Sequence, residues 1–245
     1  MTVLPIILAT TLTLGPDPGT IVTATADSLI DVGGHYLRFE VREGTRSLTI
    51  VLEAGGAADA SSWATVPDSL SRQTGATIVT YDRAGLGRSE LGPADRTPED
   101  EVRDLRHALD QLGTPAPTLL VAPSYGAMLA VLHAALYPDH IRGLVLVDPM
   151  NSVFVEETGD FAQSTVPDIE PGLGFPIVVV TAGEPWWDDP PIDQAWRRSH
   201  EVIAGRSSAR ELVVAEGSGH DVPEEHPDVI VDAVKRVLTR IEGVN

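Results

Sequence analysis

Short apolar runs alternate with segments of helical period along most of this chain. Leu48-Thr-Ile-Val-Leu52, Ala76-Thr-Ile-Val-Thr-Tyr81, Thr118-Leu-Leu-Val-Ala-Pro123, Leu144-Val-Leu-Val147, Pro176-Ile-Val-Val-Val180 and Glu211-Leu-Val-Val-Ala215 are too short for ordinary helices. They show no polar alternation, so they predict strands buried on both faces. Ser28–Val32 and His35–Val41 flank Gly33-Gly34 and predict a hairpin. Thr97-Pro-Glu-Asp100 supplies a cap, a first-turn proline and acids, and Val102, Leu105, Leu109 and Leu112 then recur at helical spacing up to Gly113. An Ala/Leu/Met run from Ala127 to Pro138 predicts a buried helix, and a last helix starts at Pro227 with Ile230, Val234, Val237 and Ile241 on one face. Buried strands separated by helices imply an α/β fold, with a mostly parallel central sheet and helices on both faces.

No repeat, low-complexity tract or linker divides the chain, which predicts one domain over 28–245 behind an N-terminal extension, 1–27. The least regular stretch, 149–174, falls between the sixth and seventh strands and predicts a short lid over the strand ends. The extension is ambiguous in sequence. Val3 to Leu14 resembles the apolar core of a signal peptide and Ala24-Thr-Ala26 a cleavage site, but Met1-Thr2 brings no basic residue and Asp17 interrupts. The expectation is a cytoplasmic protein, with secretion as the alternative. No run approaches the ~20 apolar residues of a membrane-spanning helix.

Composition narrows the partners. Among 245 residues there are 17 basic and 36 acidic ones, a net charge of −19. That excess argues against nucleic acid and against anionic membrane surfaces. It points to a small-molecule substrate that is neutral and partly apolar, and the acidity itself serves solubility. There is no cysteine, so disulfides, thiolate nucleophiles and cysteine-held metals are excluded.

The chemistry concentrates at Val121-Ala-Pro-Ser124-Tyr-Gly126. A buried strand, a tight turn with serine at its apex and a buried helix make the geometry of a nucleophile elbow. Ala122 and Gly126 are small where a sharp turn leaves no room. The backbone N–H of Tyr125 would sit at the positive end of the new helix, where an oxyanion is stabilised. His220 lies in Gly217-Ser-Gly-His220, directly after a strand, whereas the other histidines fall in strand, helix or helix-boundary patterns. A neutral imidazole there could take a proton from Ser124 and return it to a leaving group.

Five marks in this order resemble the α/β-hydrolase superfamily, in its actinobacterial serine-hydrolase form: Glu53-Ala-Gly-Gly56, Tyr81-Asp-Arg-Ala-Gly-Leu-Gly-Arg-Ser89, the Ser124 elbow, Arg142-Gly-Leu-Val-Leu-Val-Asp148 and Gly217-Ser-Gly-His220. The resemblance runs from about Ser28 to the C-terminus. It implies a Ser-acid-His triad in that chain order, with Ser124 as nucleophile and His220 as base. The commoner acid position, three residues after Gly183, holds Trp186. Asp148 at the end of the sixth strand is therefore the expected acid, with Asp188 as the alternative. The second oxyanion donor is expected at Gly56. Here the usual His-Gly segment reads Ala54-Gly55-Gly56, which removes no donor but is expected to loosen the loop. The elbow also departs from the family pattern, with Ala122-Pro123 before the serine. Asp82 and Arg83 match the family and are read as loop-holding groups, with no cluster around Asp82 to suggest a metal.

These residues imply a serine hydrolase that needs no cofactor or metal. It would cleave a carboxylic ester, thioester or lactone through an acyl-enzyme. Trp186, Trp187 and Met150 are expected to line its pocket, while Trp63 and Trp196 pack. Two alternatives stand beside it: acyl transfer, perhydrolysis or natural-product cyclisation on the same triad, and a catalytically silent binding protein. Ser124 argues against epoxide-hydrolase and dehalogenase chemistry, which use a carboxylate nucleophile. The sequence leaves the oligomeric state open.

Overall fold

A computed structural model describes residues 25–115, 117–159 and 172–243. Eight strands form one sheet: β1 (Thr25–Asp31), β2 (Tyr36–Arg42), β3 (Thr49–Leu52), β4 (Thr77–Tyr81), β5 (Thr118–Pro123), β6 (Ile141–Val147), β7 (Ile177–Ala182) and β8 (Arg210–Ala215). Their spatial order is β1-β2-β4-β3-β5-β6-β7-β8. β2 runs antiparallel to β1 and β4, and all pairs from β4 to β8 are parallel. The helices are α1 (Val66–Thr74), α2 (Pro98–Leu112), α3 (Tyr125–Leu136), α4 (Ser152–Thr158), α5 (Pro190–Gly205), α6 (Val222–Glu225) and α7 (Pro227–Glu242).

The all-apolar strands conceal a period of two. Val51, Val79, Leu120 and Leu146 pack into one core with α2 and α3. Ile50, Ile78, Leu119, Val121 and Val145 pack into the other with α1 and α7. Alternate side chains of a strand reach opposite faces, so both faces must be apolar when both are covered. β1 starts at Thr25, so the last residues assigned to the extension belong to the sheet. The rest of the extension, 1–24, lies outside the described residues. So does 160–171 of the expected lid, whose first part forms α4 behind an Asn151 cap. The capping box at Thr97 and Asp100 and the left-handed Gly113 end α2 where the sequence places them.

α3 is apolar on every side because it lies buried against β5, β6 and α2. His133 is the exception on it. The ring is 1% exposed, and neither nitrogen has a partner among the described residues. Burial, helped by the charges of Arg106 and His140, pushes its pKa down to about 3. Between that value and the unfolded pKa of about 6.5 only the unfolded chain binds the proton, so stability falls as pH drops through this window. His133→Leu is therefore expected to raise stability by about 1–2 kcal/mol at pH 7 by removing unpaired polar atoms. It should also flatten the acid loss. Urea unfolding from pH 7 to pH 4 checks both, and a variant less stable at every pH would contradict the assignment.

Candidate active site

β5 delivers the chain to Ser124, and α3 begins at the next residue. Ser124 has φ 51° and ψ −123°, a conformation that a residue with a Cβ adopts only under constraint. Its own backbone is tied on both sides. The N–H donates to Val147 O at 2.9 Å, and the carbonyl accepts from Ala127 and Met150 at 3.1 Å each. A Cβ on Gly126 would collide with the Ala54 carbonyl and lie 2.9 Å from Glu53 Cγ, so only glycine fits there. The Ser124 hydroxyl makes no hydrogen bond within the described residues. Hydrogen bonds of this kind often tighten only when a substrate is bound.

Asp148 follows β6, is fully buried and also has a positive φ, 40°. Its Oδ2 accepts from His220 Nδ1 at 2.7 Å and from Trp196 Nε1 at 2.9 Å, and its Oδ1 accepts from the Ala182 N–H at 2.9 Å. Burial pushes the carboxyl up. The His220 hydrogen bond, the nearby His200 and the Ala182 N–H outweigh it and hold the pKa below the usual range. With a carboxylate on Nδ1, the proton of neutral His220 sits there and Nε2 keeps its lone pair. Asp188, by contrast, is exposed and bonds to no described residue, so the partner of His220 is Asp148.

α5 supplies support that the sequence reading missed. Trp196 was expected only to pack; it packs against Phe154 and also donates to the carboxylate. His200 is completely buried, its pKa lowered by that burial. Its Nε2 lies 3.1 Å from Pro149 O and its Nδ1 2.9 Å from Thr181 Oγ1. A carbonyl can only accept, so Nε2 carries the proton and Nδ1 accepts from the threonine. Asp193, Trp196, His200 and Ile203 recur at helical spacing on one buried face. That spacing was the available signal, and its polar members obscured it.

Gly55-Gly56 runs beside the elbow. A Cβ on Gly55 would lie 4.0 Å from Ser124 Cβ, and one on Gly56 3.7 Å from Tyr125 Cβ. Arg83 holds this loop. The guanidinium, 4% exposed, donates to the carbonyls of Ala54 (2.6 Å), Gly55 and Gly56 (2.7 Å), and to Glu53 Oε1 at 2.7 Å. Tyr81 donates to the other Glu53 oxygen. Asp82 holds the next loop, accepting from the N–H groups of Ala60 and Arg88 at 2.9 Å each. The Tyr125 N–H opens α3, where no intrahelical acceptor exists.

Trp186 is 42% exposed and stacks on His220, with ring centroids 3.9 Å apart and planes 9° from parallel. Asp193 accepts from the Trp186 N–H at 3.0 Å and fixes this loop. Trp187 and Met150 pack on the Phe154, Ala195 and Trp196 cluster. No group of three or more potential metal-ligating side chains occurs among the described residues. A cavity of about 770 Å³ lies along α2, lined by Arg96, Arg106, His107 and His140 among others, and none of Ser124, Asp148 or His220 lines it.

Comparisons with known proteins agree with this arrangement of the chain. A family model described as alpha/beta hydrolase fold matches residues 49–173, just over half the chain. The uncharacterised protein YqjL of Bacillus subtilis (strain 168) is 26% identical over 231 residues, covering 85% of this chain and 90% of its own. A bovine (Lyso)-N-acylphosphatidylethanolamine lipase from Bos taurus is 32% identical over 135 residues, 51% of this chain and 38% of the lipase. Among solved structures, a thermophilic esterase from Thermogutta terrifontis superposes with a TM-score of 0.68 at 20% identity, covering 84% of this chain and 94% of the esterase. No helix among the described residues is long and apolar enough to cross a membrane.

Proposed function

The chain belongs to the alpha/beta hydrolase fold family, and from that premise we propose that it is a cofactor-free serine hydrolase of carboxylic esters, thioesters or lactones. The observation that carries this reading is the constrained Ser124 at the start of α3, bonded through its N–H to Val147, the residue before Asp148, which pairs with His220 at 2.7 Å. In the proposed reaction Ser124 Oγ attacks the substrate carbonyl while His220 Nε2 takes its proton. The N–H groups of Gly56 and Tyr125 receive the oxyanion, each worth a few kcal/mol in such sites. His220 then protonates the leaving alcohol or thiol. Water, deprotonated by the same imidazole, cleaves the acyl-enzyme, and the returning proton restores the serine. Asp148 holds the imidazole in the required tautomer. Trp186, Trp187 and Met150 favour a neutral, partly apolar substrate, consistent with a net charge of −19.

A fluorophosphonate probe tests the reading directly. Stoichiometric labelling is expected, with the adduct on the peptide containing Ser124, and hydrolysis of short-chain ester and thioester panels should accompany it. Absence of label on well-folded protein would overturn the proposal in favour of a silent binding protein. Label with transfer to an added alcohol or amine outpacing water would instead favour an acyltransferase.

A further inference from the structure

We propose that Arg83 is a positioning residue that sets the oxyanion hole, by fixing the peptide plane that carries the Gly56 N–H. The inference rests on the serine-hydrolase reading of Ser124. A trans peptide is planar, and its C=O and N–H point in opposite directions. The Gly55 carbonyl and the Gly56 N–H belong to one such plane. Holding the carbonyl therefore aims the N–H away from the holder. Arg83 Nη2 accomplishes this at Gly55 O, and the same guanidinium holds the planes on either side through Ala54 O and Gly56 O. Without it, two consecutive glycines would let this peptide rotate freely, because neither has a Cβ to restrict φ and ψ.

The guanidinium is itself immobilised. Glu53, 2% exposed, pairs with it at 2.7 Å, and Glu101 lies 3.4 Å from Nε. Its centre sits 5.5 Å from the centroid of the Tyr125 ring, so one group touches the segments of both oxyanion donors. The planar fork reaches several acceptors at once. A lysine ammonium at the same place would retain the charge opposite Glu53 but could not span three carbonyls and a carboxylate. The polar groups of this cluster thus replace the histidine that Ala54 lacks as a means of ordering the loop.

Arg83→Lys tests the proposal, with paired oxoester and thionoester substrates of the same acyl group. Oxyanion-hole donors stabilise a developing O⁻ far better than a developing S⁻. The variant is expected to lose about 10- to 100-fold in kcat on the oxoester with KM changed less than about 3-fold. Its thionoester rate should fall much less, so the oxo/thiono ratio drops. A general loosening of the fold would lower both rates together and leave the ratio intact, which would overturn the proposal. So would a folded variant with wild-type kcat. Should Arg83→Lys fail to fold, Glu53→Gln leaves the guanidinium present with only Glu101 as its carboxylate partner, and the same ratio is expected to fall by a smaller factor. An unchanged ratio there overturns the inference. Failure of the parent reading is seen separately, in wild-type protein that takes no label at Ser124.

Discussion

Ser124→Gly is expected to abolish turnover, by about 10⁶-fold in kcat, and at the same time to make the protein more stable. The two effects have one origin. At φ 51° and ψ −123° the serine Cβ crowds the backbone, a strain of about 1–3 kcal/mol at positions of this kind. Glycine removes the Cβ and with it the strain. Its greater freedom in the unfolded chain offsets about 0.5–1 kcal/mol of that gain. A net gain of about 1 kcal/mol would raise Tm by about 2–4 °C in a domain of this size. Ser124→Ala separates the contributions, since it keeps the Cβ and loses only the hydroxyl. That hydroxyl has no described partner, so the alanine variant should be as inactive as the glycine variant but melt within about 1 °C of wild type. Calorimetry beside an ester assay measures all four values. A glycine variant that melts lower would show that the turn is not strained, and residual activity near wild type would remove Ser124 from the mechanism.

The second large effect is expected at Asp148. Its two oxygens accept from three N–H donors, those of His220, Trp196 and Ala182. Asparagine offers one oxygen and one NH2 group. Either orientation of the amide sets an N–H against an N–H, and if the NH2 faces His220 the imidazole must turn over its tautomer. Asp148→Asn should therefore lower kcat by about 10⁴-fold and destabilise the fold by about 2–3 kcal/mol through an unpaired buried donor. Asp188→Asn, on an exposed carboxylate, should leave both within error. The carboxylate's contribution to stability is present above its unfolded pKa of about 3.9 and is lost as pH falls through the lowered folded value. The stability difference between wild type and Asp148→Asn should thus shrink toward acid. A large loss in Asp188→Asn with a mild one in Asp148→Asn would reverse the assignment of the acid.

The strands were legible because a parallel strand covered on both faces has no option but to be apolar throughout, as Leu119–Val121 and Ile177–Val180 are. The ends of α2 were legible because Thr97, Asp100 and Gly113 act on neighbours within a few residues. α1 and α5 were not individually identified, since their apolar faces are broken by Ser71, Asp193 and His200, the last two of which are buried because tertiary partners meet them. The ambiguity between Asp148 and Asp188 has the same source. Asp148 meets Trp196 across 48 positions of the chain and His220 across 72, and no local pattern encodes such a meeting. The family resemblance marks Arg83 as a loop-holding group, and its hydrogen bonds to loop carbonyls agree with that. Which loop it holds, Ala54-Gly55-Gly56, emerged only from the packing of β3 against β4 and β5.

The buried carboxylate at the end of β6 has a consequence for how the chain can change. β6 lies next to β5, so the carboxylate is anchored within the sheet beside the elbow. The segment from Gly183 to Asp189 is thereby released from supplying a charge. It rests on α5 through Asp193 and Arg197, which bind its backbone rather than its side chains. Its exposed Glu184 and Asp188 side chains can therefore be exchanged while the anchor stays in place, whereas Trp186 and Trp187 pack on Trp196, which binds the carboxylate. Libraries that vary Glu184 and Asp188, which flank the Trp186–His220 stack, would change its surroundings without disturbing the carboxylate behind it.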